Sequence, residues 1–87
     1  MTKKEIKNAF NKQVYMFAES LGYIIEDNGD GSCVTFIKPE ETNGYNSIDY
    51  HRSYQCVYVV DWTIDSVKAD SEKIEAFIAE QKIVMGC

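Results

Sequence analysis

An 87-residue chain makes a single globular domain, 1–87, and its 45% hydrophobic and 13% aromatic content is far from that of a disordered segment. The formal charge is −5, and only residues 1–13 are net basic, with Lys3, Lys4, Lys7 and Lys12 against Glu5. Phosphate neutralisation supplies most of a nucleic-acid binder's affinity, so this balance argues against nucleic acid and for a partner with a basic surface.

Thr2-Lys3-Lys4-Glu5 has the spacing of a capping box. Ile6, Phe10, Val14, Phe17 and Leu21 follow at steps of three or four, with Ala9 and Ala18 beside them. That period predicts an amphipathic helix closed by Gly22. Tyr15 and Met16 fall off the stripe, and either widen it or stay on the surface.

Residues 23–27 (YIIED) and 32–38 (SCVTFIK) flank Asn28-Gly29-Asp30-Gly31, a strong hairpin-turn signal. An EF-hand does not fit, because counting from Asp27 puts Gly29, Gly31 and Lys38 where calcium ligands belong. In the second arm Val34 and Phe36 share one face, Cys33, Thr35 and Ile37 the other, and Pro39 stops the strand. Residues 40–52 (EETNGYNSIDYHR) show no clean period, and read as a long irregular connection or as cover for a short extra strand.

Residues 54–65 (YQCVYVVDWTID) carry the strongest alternation in the chain and predict one long strand. Tyr58, Val60, Trp62 and Ile64 are expected to meet Phe10, Phe17, Ile74 and Phe77 in the core. Val57 and Val59 then lie on a second face, covered by the 40–52 loop or by a second copy in a homodimer. Asp65-Ser66 and Asp70-Ser71 both offer helix caps, and Ile74, Phe77, Ile78 and, at the far end, Val84 predict a second amphipathic helix. The fold class is α+β: an N-terminal helix, a three-stranded antiparallel sheet and a C-terminal helix (αβββα), with both helices on one sheet face.

Cys33, Cys56 and Cys87 form no CxxC pair, so neither a zinc ribbon nor a thioredoxin-type site is present. Cys33 and Cys56 read as small core residues, and Cys87 as a thiol open to oxidation. Their odd number suits a reducing compartment, MTKKEIKNAF has no apolar run of signal-peptide length, and no stretch approaches the ~20 apolar residues of a membrane span. A cytoplasmic location without membrane contact is expected. His51, with Asp49 two residues before it, has the composition of an acid–base pair, but no nucleophile or metal set accompanies it. No cofactor and no catalysis are expected.

The helix–strand–strand–strand–helix order is similar to that of the double-stranded-RNA-binding domain. That resemblance implies a lysine cluster at the start of the last helix, where this chain has Asp70-Ser71-Glu72-Lys73, acidic on balance. RNA binding is therefore not expected.

What remains is a group of acids and tyrosines, Glu40, Glu41, Tyr45, Asp49, Tyr50, His51 and Tyr54. Tyrosine gives stiff, amphipathic contact area and acids pair with a partner's lysines and arginines. The first expectation is a small acidic, non-catalytic module that docks on a basic, nucleic-acid-binding surface of a larger protein. It resembles phage anti-restriction and anti-CRISPR inhibitors in size and charge. The alternatives are a small-ligand or enzymatic site near Asp49 and His51, and weak nucleic-acid binding through the lysines of the first helix.

Overall fold

The computed structural model describes residues 2–27 and 32–85; the hairpin turn over 28–31 and the terminal Cys87 lie outside the described residues. The elements run α1 (Lys3–Ser20), β1 (Ile24–Asp27), β2 (Cys33–Ile37), β3 (Ser47–His51), β4 (Cys56–Tyr58) and α2 (Asp65–Met85). The strands form one antiparallel meander in the order β1-β2-β3-β4.

Local chemistry sets the ends of α1. The Thr2 hydroxyl accepts the Glu5 N–H at 3.1 Å, satisfying one of the helix's free donors. At the other end Gly22 takes a φ of +96°, the Tyr23 N–H donates to the Ala18 carbonyl and the Gly22 N–H to that of Glu19. This is the six-to-one, five-to-two pattern that glycine permits at a helix end.

Both helices pack on one side of the sheet. Val34, Phe36, Ile48 and Tyr50 point inward and are fully buried against Phe10, Val14 and Ala18 of α1 and Val67, Ile74 and Ile78 of α2. Phe17 stacks on Phe77 at 4.4 Å, joining the helices, and Tyr15 meets Phe36 and Tyr50 edge-on. Tyr15 thus widens the α1 stripe, whereas Met16 stays exposed. One polar knot closes the layer: Asp70, buried in α2, accepts from the Tyr23 hydroxyl at 2.8 Å and from Lys38 Nζ at 2.9 Å. Tyr23 precedes β1 and Lys38 follows β2, so this carboxylate holds the open end of that hairpin to α2.

The sheet has four strands, not three, because residues 40–52 contain β3, whose Ile48 and Tyr50 face the core while Ser47, Asp49 and His51 face away. The long strand over 54–65 is corrected to the three residues of β4. Twelve extended residues would span about 40 Å, far beyond the five-residue strands they would have to pair with. The chain instead turns on both sides of β4, first through Gln55 at a φ of +55°, then through a turn in which Thr63 N–H donates to the Val60 carbonyl.

The facing of residues 57–62 is also reversed, whereas Ile64 packs against the core as expected. Val57 and Val59 pack against the core, while Tyr58 is 53% and Trp62 72% exposed. Along a strand the side-chain period is two, so a one-residue shift exchanges the faces. The reason given above for a homodimer, an uncovered Val57 and Val59, therefore falls away. In α2, Asp70 and Ser71 lie within the helix and are buried, so the start is at Asp65, and Val84 is exposed rather than part of the stripe.

Candidate functional site

The face of the sheet turned away from the helices is built by alternation. Its rows follow from the register: Ile24, Ile37 and Ser47; Glu26, Thr35, Asp49 and Tyr58; Cys33, His51 and Cys56. None of these side chains is fully buried. None is a lysine or arginine, and Glu26 and Asp49 lie two strands apart in the central row. An uncovered sheet face with two carboxylates and no cation sets a negative local field.

Hydrogen bonds fix the middle of this face. Thr35 Oγ1 donates to Asp49 Oδ1 at 3.4 Å, and the Cys56 thiol donates to the Tyr58 hydroxyl at 3.1 Å. His51 Nδ1 accepts the Tyr54 N–H at 3.3 Å, so the neutral imidazole carries its proton on Nε2. The Tyr54 ring lies 4.5 Å from that of His51, tilted by 32°, and is 71% exposed. Tyr54 is placed by the turn that Gln55 closes, its N–H donating to the His51 carbonyl at 2.7 Å.

The seven residues singled out in the sequence do not form one surface. Asp49, His51 and Tyr54 come together on or beside the outer face. Tyr50 does not: it is fully buried, and its hydroxyl donates to Asn11 Oδ1 at 2.7 Å inside the core. Burial pushes its phenol well up. Its expected place on the surface is corrected by the parity of β3. Glu40, Glu41 and Tyr45 belong to the loop between β2 and β3, at the end of the sheet away from His51, about 13 Å along the strand. That loop is tied to itself and to the start of α2. Asn46 Nδ2 donates to the carbonyls of Lys38 and Glu41, and the Ile64 N–H donates to the Tyr45 carbonyl at 3.0 Å.

Sequence reasoning missed Glu26, Cys33, Thr35, Cys56 and Tyr58 as members of the face. The first three were legible, since they occupy the parity opposite to Ile25, Val34 and Phe36, and the alternation already places Cys33 and Thr35 opposite Val34 and Phe36. The reading of Cys33, Cys56 and Tyr58 as core residues is corrected, because the register puts all three in the outer rows and none is buried. Cys33, His51 and Cys56 share a row across β2, β3 and β4, yet no group of three His, Cys, Asp or Glu among the described residues is placed to hold a metal ion. Neither Asp49 nor His51 lines the cavity beside α1 or the one between β4 and α2. No helix among the described residues is long and apolar enough to cross a membrane.

Comparison with known protein families, with curated proteins and with solved structures finds no match to this chain.

Proposed function

We propose that this protein is a non-catalytic interaction module that lays the open face of its sheet on a basic surface of a larger protein. One observation supports this above the others: the face combines Glu26, Asp49, His51, Tyr54 and Tyr58 with no lysine or arginine in its rows. Carboxylates steer the encounter with a cationic surface, and exposed tyrosines supply contact area at low conformational cost. The reading moves the interaction from the 40–52 loop to the strands, which hold side chains more rigidly than a loop. A cationic surface that meets this face is one that phosphate would otherwise occupy, so the module acts as an inhibitor of a nucleic-acid-processing protein. Small size and acidic charge support that last step, as in phage anti-defence proteins.

The test is affinity capture with wild-type bait and with an Asp49→Lys, Tyr58→Ala variant, followed by competition with nucleic acid. A protein with a basic surface should be held by the wild type, lost by the variant and released by added nucleic acid. Capture unchanged in the variant would refute the proposed face.

A further inference from the structure

On the helix side of the β3–β4 turn, a cavity of about 350 Å³ is lined by Lys7, Asn8 and Asn11 of α1 and by Arg52 and Ser53 of the turn. Lys7 and Asn11 are one helical turn apart and share a face of α1. The Asn11 carbonyl oxygen is engaged by the Tyr50 hydroxyl at 2.7 Å, which fixes the amide and leaves Nδ2 as its donor. Arg52 is held by its backbone, whose N–H donates to the Ser32 carbonyl at 2.9 Å. Its Nη1 meets Asp27 Oδ2 at 3.3 Å, longer than the ~2.7–2.9 Å of a strong charge-assisted bond, and its Nε is buried on the side of the Tyr15 hydroxyl, which leaves the Nη end of the fork to face the cavity. Every lining side chain can donate, two are cationic and none is a carboxylate.

We propose that this cavity binds the phosphate of a small phosphomonoester such as a nucleoside monophosphate. The guanidinium fork takes two terminal oxygens, Lys7 balances charge, and the asparagine amides and the Ser53 hydroxyl reach the third oxygen and the ester side. A carboxylate, with two oxygens and one charge, leaves donors unused. The volume lies at the small end of ligand sites, which run from roughly 300 to 1,000 Å³. The cavity borders the one net-basic part of an acidic chain, residues 1–13. It is separate from the docking face proposed above.

The experiment is a titration of ¹⁵N-labelled protein with inorganic phosphate, AMP, adenosine and acetate at constant ionic strength, read by amide shifts. AMP and phosphate should move the same saturable set, Lys7, Asn8, Asn11, Arg52 and Ser53, while adenosine and acetate move none of it. Arg52→Gln should weaken AMP binding by about tenfold or more. Lys7→Gln, at an exposed position that cannot unsettle the fold, should weaken it about threefold to fivefold. No saturable shift, an equal response to acetate, or AMP affinity unchanged in both variants would overturn the proposal. So would phosphate binding from which AMP is excluded, or binding confined to a 5′-phosphorylated oligonucleotide with a steep salt dependence.

Discussion

Phe36 and Thr35 are neighbours on β2 and meet opposite surroundings: Phe36 is sealed between Tyr15, Tyr50 and the helices, while Thr35 reaches across the open face to Asp49. The same division runs through the whole sheet. The helix side holds Val34, Phe36, Ile48, Tyr50 and Val57 and is where burial stabilises the fold. The other side holds acids, a histidine, thiols and a tyrosine, with Ile24 and Ile37 at one end, and none of these side chains is fully buried. In a domain this small only one face of the sheet can be covered by two helices. The uncovered face is thereby available for recognition at little expense in stability.

Substitutions on the two faces should separate accordingly. Phe36→Ala on the closed face should cost about 3–5 kcal/mol and leave much of the chain unfolded, as urea denaturation followed by circular dichroism would read. Asp70→Ala removes the carboxylate shared by Tyr23 and Lys38, whose side chain is 19% exposed, and should cost about 2–3 kcal/mol by the same assay. Tyr50→Phe keeps the ring but deprives Asn11 Oδ1 of its donor, for about 1–2 kcal/mol. A stability change near zero for Tyr50→Phe would contradict its placement in the core.

The closed side should also set the response to alkali. Lys38 is pushed up chiefly by its bond to Asp70, and Tyr23 and Tyr50 chiefly by burial. A group whose pKa is higher folded than unfolded stabilises fully below the unfolded value and loses that contribution as pH rises through the folded one. Unfolding free energy should therefore hold from neutral pH to about pH 10 and fall beyond it. Asp70→Asn should flatten that decline, measured by denaturant titrations at stepped pH. On the open face, Tyr58→Ala and Glu26→Gln should each change stability by no more than about 0.5 kcal/mol.

How much of this could be read from the residues alone differs between the faces. The ends of α1 and the facing of Val34 and Phe36 follow from local chemistry and a clean period, and both stand in the structure. Within 40–52, SIDYH alternates polar and apolar over five residues, but Asn43-Gly44 and the acids before it masked so short a run. The segment 54–65 was harder for a physical reason. From Cys56 to Val60 both parities are apolar, so alternation cannot choose a face, and the choice rests on which residues reach the helices. Gln55 at positive φ gives no warning either, since glycine or asparagine usually marks that conformation. Those two errors displaced the candidate site: Tyr58 was counted as core, and Tyr50 as surface. Asp49 and His51 lie on the outward parity of β3, in agreement with their polarity, and Tyr54 is exposed in the turn that follows.

The central claim, recognition by the sheet face rather than by the β2–β3 loop, is tested most directly by one three-way capture comparison. Wild type, Asp49→Lys with Tyr58→Ala on the face, and Glu40→Lys with Glu41→Lys on the loop are used as bait at matched folded concentration. The face variant should lose the wild-type partner at unchanged thermal stability, and the loop variant should keep it. Retention by the face variant with loss from the loop variant would contradict the account.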